Sequence, residues 1–388
     1  MKLRYAKEEE KNNIKEIWNY CFNDSETFVK YYFDSKYKRS NTVVLDEGEE
    51  IVSSLQLNQY KINLNNRVYD ASYVVGVSTF PQGRGRGYMK HMMRFSLEEL
   101  YKREQLVSIL MPIDYRLYRK YGYEHCYDQL EYTIDIEDLS KFKLNGKLYK
   151  VENEHIDDLL EINNLFLKDV NGNVSRDRLY YENLFEEIKS EGGYIYIYED
   201  NGYQGYIIYF LNGENMFVRE VFYKNIETLK SILKFIYNHN TQCKRVIISA
   251  PVNDKIRFIL DNPKTCDIKV KPFMMGRVIN LKGYLETLDI ESDKEISVRI
   301  YVEDEFLTEN NGVFKISLKN KKLKVEKTEG SYSAYFSINT ITQLAFSYIN
   351  IKEAFILNDI EDGNIKKEVI DLFNTIFEKK DNYINEYV

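Results

Sequence analysis

The sequence predicts a mixed α/β and α+β protein of three docked domains, in which one architecture is used twice before a different unit closes the chain. Three observations carry that expectation. At 388 residues the chain exceeds what one core usually organises, and domains of roughly 100 to 150 residues suit it better. A hydrophobic fraction of 44%, with 34 tyrosines and 21 phenylalanines, can fill several cores, and no polar or Pro/Gly-rich tract separates the segments. The same order of strands, helix and strand occurs over residues 1–143 and again over 144–285, and the pattern changes for 286–388.

In the first unit a helical stretch from Lys11 to Tyr32 precedes strands from Thr42 to Leu45, Ile51 to Leu57 and Val68 to Thr79, divided by the turns DEGEE and NLNN. Tyr88, Met89, Met92, Met93, Leu97 and Leu100 recur at three- and four-residue spacings and predict an amphipathic helix. LVSILM, from Leu106 to Met111, predicts a buried parallel strand. A short aromatic helix in YRLYRKYGY ends at Gly122, because glycine takes the left-handed conformation without penalty. Leu130, Tyr132, Ile134 and Ile136 then alternate as a strand.

The second unit repeats this order with strands from Tyr194 to Tyr198, Tyr206 to Phe210 and Phe217 to Phe222, a helix from Ile226 to Asn238 and a strand from Arg245 to Ala250. In the third, alternation at Ile296, Val298, Ile300 and Val302 starts a sheet continued near Val313 to Leu318 and Tyr332 to Phe336. Helices follow near Ile341 to Phe346 and Ile365 to Phe377. The chain closes on NYINEYV, apolar and aromatic where loose tails are usually polar, so this end is expected to be tied down.

Composition narrows the function. A net charge of −7, with basic residues scattered among acids, argues against a dedicated nucleic-acid binder and favours a cationic small substrate. The start MKLRYAKEEEKNNIKEIW has no apolar leader core and no apolar run approaches the length of a membrane span, which predicts a soluble cytoplasmic protein. Cys21, Cys126, Cys243 and Cys266 are widely spaced, and His91, His125, His155 and His239 form no ligand pattern. Neither a disulfide framework nor a metal centre is expected.

The strongest local signal is VSTFPQGRGRGYMK, three glycines and two arginines between a predicted strand and a predicted helix. Glycines let the main chain approach a ligand, and a loop feeding a helix N-terminus aims unpaired N–H groups, reinforced by the helix dipole, at an anion. No Lys-Ser/Thr pair stands here for a P-loop, and Gly83, Gly85 and Gly87 are spaced G-x-G-x-G rather than G-x-G-x-x-G. The remaining candidate, which the segment resembles, is the coenzyme A loop of GNAT-type N-acetyltransferases, R/Q-x-x-G-x-G/A, and two registers are open. Gln82-x-x-Gly85-x-Gly87 matches every letter; aligning Pro81 with the loop proline of that family gives the preferred Arg84-x-x-Gly87-x-Met89, in which Met89 replaces a small residue. The second unit has VFYKNIE at the corresponding loop and offers no such cradle.

With VSTFPQGRGRGYMK and LYRKYGYEH both present, the chain resembles the Eis (enhanced intracellular survival) branch of the GNAT acetyltransferases over its whole length. The resemblance implies tandem GNAT-like domains, the second without the coenzyme A loop, and a C-terminal sterol-carrier-protein-like α+β domain. MMGRVINLKGYL looks like the junction strand of that family. It implies acetyl-CoA as co-substrate, no metal, and a homo-oligomer, up to a hexamer. Val77, Ser78 and Thr79 would present strand backbone to the pantetheine arm. Arg84, Gly85, Arg86, Gly87, Tyr88, Met89 and Lys90 would surround the pyrophosphate, mainly through main-chain N–H groups. Tyr118 and Arg119 would complete the cofactor cleft, Tyr123 would be the general acid, and the carboxylate of Val388 the general base.

These roles suit the chemistry. A thiolate leaving the acetyl group is best protonated by a positioned acid, and a phenol with a reference pKa near 10 is protonated at neutral pH. A terminal carboxylate, ordinarily near 3.5, acts as a base only when desolvated or when it takes the proton as attack proceeds. The excess of acids suggests an aminoglycoside-like or polyamine-like acceptor, or a lysine, with Asp24 and Glu26 after the first helix as candidate lining. The rival expectation is a coenzyme A- or lipid-binding protein without turnover; the glycine loop together with Tyr123 favours the enzyme.

Overall fold

Two sheets organise the chain in a computed structural model that describes residues 1–48, 50–358 and 366–387. The larger has 13 strands and runs through both of the first two units. Its first unit contributes Lys2–Tyr5, Thr42–Glu47, Glu50–Leu64, Arg67–Thr79 and Val107–Leu110 in that order. Asn65 and Asn66, at φ +52° and +63°, close the hairpin between the two long strands; asparagine tolerates the left-handed region better than most side chains. Tyr88–Lys102 forms the expected helix and buries Met92, Met93, Leu97 and Leu100 against the sheet.

The remaining order departs from simple repetition. Asp267–Val278, from the end of the second unit, lies between Val107–Leu110 and Glu124–Asp135 of the first and pairs antiparallel with both. Beyond Glu124–Asp135 come Arg245–Ala250, Asn215–Tyr223, Tyr203–Asn212, Tyr194–Glu199 and Lys147–Lys150. The crossing strand is the buried MMGRV segment, and at Gly276 a Cβ would stand 2.7 Å from the Phe346 ring, so only glycine lets the third unit approach.

Several elements differ from the periodicity. The first helical stretch is two helices, Lys11–Cys21 and Glu26–Tyr31, divided where Phe22 turns extended and Ser25 caps the second by accepting the Phe28 N–H at 3.1 Å. Strands Lys2–Tyr5 and Lys322–Thr328 and helices Ile156–Phe166, Arg178–Ser190 and Ile351–Leu357 add to those expected. Each is short or only partly apolar, and tertiary burial outweighs its weak local signal.

The third unit pairs Lys322–Thr328, Gly312–Lys319, Ile296–Glu303 and Ala334–Ser337 in one sheet, with Phe336, Phe355 and Phe373 stacked beneath it. It is clipped to the others by a fully buried ion pair: Arg277 donates to Asp304 at 2.6 Å and to the Tyr121 carbonyl at 3.0 Å. Those added hydrogen bonds offset the desolvation of two charges. The tail threads among all three units. Asn382 donates to the carbonyls of Cys126 and Phe346 at 2.9 and 2.8 Å, Gln129 donates to the Ile384 carbonyl at 2.9 Å, and Asn385 donates to the Arg219 carbonyl at 2.9 Å.

Candidate active site

A fork in the sheet makes the main cleft. Ala71 to Val74 pair in parallel with Val107 to Leu110, and there the ladder stops while Arg67–Thr79 continues. At Gly76, with φ +59°, the strand bulges against its other neighbour, Glu50–Leu64, and a Cβ at this position would run into Gln56 and Trp18. The Phe80 N–H bonds the Val52 carbonyl, so the two-residue alternation turns Ser78 toward that neighbour and the main-chain groups of Val77 and Thr79 toward the open side. The result is a cleft of about 810 Å³ between this free edge and Met111, Pro112 and Ile113.

One end of the cleft is the glycine loop. Gly85 and Gly87 have φ of +78° and +77°, and a Cβ at either would meet nothing within 4 Å, which leaves a backbone-lined hollow. Gly87 opens helix Tyr88–Lys102 without any side-chain cap, so the first N–H groups point outward with the positive end of the helix dipole. This cradle fits a pyrophosphate. The Lys90 N–H is excluded from it, because it bonds the Gly87 carbonyl at 3.0 Å.

A second cavity of about 460 Å³ lies between the first two units, with Phe28, Phe217, Phe273 and Tyr387 in its wall. Asp24 borders both cavities and accepts the Trp18 indole N–H at 2.8 Å. Glu191 also borders the second cavity, its carboxyl held above the ordinary range first by loss of water and then by Glu187 and Asp24, against Arg219.

The residues expected from the sequence divide. Val77, Ser78, Thr79, Arg84, Gly85, Gly87, Tyr88, Met89 and Tyr118 line the main cleft, and Asp24 joins the two cavities. Arg86 instead pairs with Glu47 at 2.9 Å, Lys90 with Glu305 at 3.2 Å and Arg119 with Glu124 at 2.9 Å, so these charges are turned outward. Glu26 is exposed in the first turn of its helix and borders neither cavity. Val388 lies outside the described residues; Tyr387 before it borders the second cavity.

The structure does not bring the expected general acid, Tyr123, to the wall of either cavity. Tyr123 is fully buried, and its hydroxyl meets Ser108 Oγ at 2.8 Å. Ser108 gives its own proton to the Ser72 carbonyl at 2.7 Å, so Tyr123 is the donor in that bond and its proton faces the core. Tyr118 borders the cleft instead, on helix Tyr115–Arg119, which Asp114 caps by accepting the Arg116 N–H. Burial, and then Tyr121, push its phenol up to about 12. In LYRKYGY, Tyr118, Tyr121 and Tyr123 all fit an aromatic pattern, and nothing local says which of them borders the fork.

The second unit contains the same fork in altered form. Asn215 to Val218 pair in parallel with Arg245 to Ile248 before the strands diverge. Its helix Ile226–Tyr237 is capped by Asn225, whose side chain accepts the Thr228 N–H at 2.9 Å. Past the fork, the Arg219 carbonyl accepts from the Asn385 side chain, and the Arg219 guanidinium lies 4.9 Å from the Tyr387 ring.

Comparison with known proteins agrees with this arrangement. Residues 2–126 and 172–278 each match an acetyltransferase (GNAT) domain model, and residues 281–385 match a sterol carrier protein domain model. Among curated proteins, none matches the sequence at a significant level. Solved structures similar in fold include a conserved protein of Enterococcus faecalis, with a TM-score of 0.86 at 21% identity over 100% of this chain and 99% of that one. A GCN5-related N-acetyltransferase from Anabaena variabilis gives 0.83 at 22% identity, and Eis1 from Mycobacterium abscessus 0.75 at 12%, each over 100% of both chains.

Proposed function

With two GNAT domains and a sterol carrier protein domain in an Eis-like fold, the chain belongs to the GNAT acetyltransferases, and we propose that it moves the acetyl group of acetyl-CoA to the amine of a cationic small molecule. The observation that carries this reading is the forked sheet whose free edge leads to an uncapped, glycine-headed helix. Acetyl-CoA, when bound, supplies the activated thioester. The main chain from Gly85 to Met89 would hold its pyrophosphate, and the free edge at Val77 and the Thr79 N–H would hydrogen-bond its amide-bearing arm, the Thr79 carbonyl being taken by Arg84 Nε at 3.1 Å. Lys90 and the outward-paired Arg86 and Arg119 are left out of this set.

Asp24, at the join of the two cavities, attracts the ammonium of the acceptor and orients it toward the fork. The phenol of Tyr118, protonated at neutral pH, gives its proton to the sulfur that leaves. For the base, the carboxylate of Val388 is retained from the family resemblance; the position of Tyr387 on the second cavity supports it. We further propose a cytoplasmic homo-oligomer, up to a hexamer, divided into domains at 143/144 and 285/286. Light scattering tests the assembly.

The decisive experiment mixes the protein with acetyl-CoA and a panel of polyamines, aminoglycosides, lysine derivatives and arylalkylamines while free thiol is followed. Amine-dependent thiol release is expected. Release with none of them, alongside stoichiometric binding of coenzyme A or a lipid, would replace the enzyme by a binding protein.

A further inference from the structure

The wall of the second cavity narrows the kind of acceptor. Four carboxylates border it, but two are already neutralised: Glu187 by Arg219 and Glu131 by Lys271, each at 2.6 Å. Asp24 and Glu191 form no salt bridge among the described residues, although Arg219 acts on Glu191 at longer range, and Asp24 also borders the cofactor cleft.

Of the uncharged polar side chains in the wall, Gln129, Ser25 and Tyr387 are engaged elsewhere, which leaves the Ser249 hydroxyl. Gln129 donates to the Ile384 carbonyl and to Asn385 Oδ1 at 2.9 and 3.1 Å and accepts from the Tyr387 hydroxyl at 3.3 Å. Ser25 Oγ caps a helix. Phe28, Phe210, Phe217, Phe273 and Tyr387 make up much of the rest. A ligand rich in hydroxyls would lose water here with few side chains to replace it, and an unpaired polar group out of water is costly. An aromatic body would bury apolar surface against these rings, and an ammonium beside them gains from their faces.

We infer that the acceptor is an arylalkylamine, its ammonium at Asp24 and its ring among Phe28, Phe217, Phe273 and Tyr387, rather than a polyhydroxylated or extended polycation. This rests on the acetyltransferase reading and specifies the substrate class of the same site. Two carboxylates outside any salt bridge suit one amine, or two close together, and the neutralised remainder offers no row of anions to a long polycation.

The test compares kcat/KM at fixed acetyl-CoA for 2-phenylethylamine and tryptamine with that for spermidine, kanamycin and Nα-acetyl-lysine. The arylalkylamines should lead by about tenfold or more, the scale on which apolar pockets discriminate. Phe217→Ala, in the exposed part of the wall, should raise KM for 2-phenylethylamine about fivefold or more without altering KM for acetyl-CoA. A higher kcat/KM for spermidine, kanamycin or the lysine derivative than for both arylalkylamines would overturn the inference and leave the enzyme standing. Absence of both thiol release and coenzyme A binding would overturn the enzyme reading itself. Calorimetric titration of 2-phenylethylamine into the coenzyme A-loaded protein decides the matter apart from turnover: binding weaker than that of spermidine also overturns the inference.

Discussion

The first two units begin from the same fork, four parallel pairs and then divergence, and finish it in opposite ways. In the first, the fork opens on a cleft of about 810 Å³, and the helix beyond starts at Gly87 without a side-chain cap. In the second, Asn225 caps the helix, and the tail of the chain takes up hydrogen bonding past the fork through Asn385. Unpaired main-chain groups at a helix end and a strand edge demand partners. A ligand can supply them in one copy, whereas the protein supplies them in the other. The second fork is not wasted, since Val218, Arg219, Ile247 and Ser249 border the cavity that faces the first. On the proposed function, duplication gives one site with two halves, a cofactor half and an acceptor half.

Four experiments can break or sharpen that division, beginning with the largest effect. If Tyr118 is the acid, Tyr118→Phe removes the proton given to the leaving sulfur, and kcat should fall by about 100- to 10,000-fold with coenzyme A affinity nearly kept. Because burial pushes this phenol up to about 12, it stays protonated at ordinary pH, and the deficit should be constant between about pH 7 and pH 10. Tyr123→Phe is the control: it gives up one buried hydrogen bond, costs about 1 kcal/mol of stability and changes kcat little. If steady-state rates showed the reverse ranking, the acid would be Tyr123 and the present assignment would fail.

Extending the C-terminus by a few residues addresses the tail that completes the second fork. If the terminal carboxylate is the base, turnover should drop about 100-fold, the scale of general base catalysis. Equal rates for tagged and untagged protein, measured with one amine, would move the base elsewhere.

Gly87→Val tests the cradle. A β-branched residue at φ +77° carries roughly 1 to 2 kcal/mol of strain and fills the hollow, so coenzyme A affinity should weaken about tenfold or more. The wild-type titration should show one coenzyme A per chain, and two would contradict the closed second copy. The smallest change is expected from Asn225→Ala, which removes the cap of the second helix. About 1 kcal/mol of thermal stability should be lost, with coenzyme A stoichiometry still one, because no glycine hollow lies before that helix. A second coenzyme A bound by this variant would show that the cap alone had been the barrier.

Local rules made much of the architecture legible. Met92, Met93 and Leu97 repeat at helical spacing and are buried, Gly87 and Gly122 take positive φ where turns require it, and NYINEY, residues 382–387, is tied down as its apolar character suggests. The glycine loop also announces its chemistry, because a cradle of this kind depends on residues adjacent in sequence. Other features depend on residues far apart. MMGRV reads as a buried strand, but nothing in its letters says that it will lie between two strands of another unit. LYRKYGY contains Tyr118, Tyr121 and Tyr123, and that Tyr123 is buried while Tyr118 borders the cleft depends on packing against distant residues such as Ser108. The second cavity gathers Asp24, Glu191, Phe273 and Tyr387 from four distant segments, each ordinary in its own neighbourhood. Periodicity and turn chemistry act over a few residues and are written in the sequence. A cavity depends on which surfaces meet when three units dock, and that follows from packing across the whole chain.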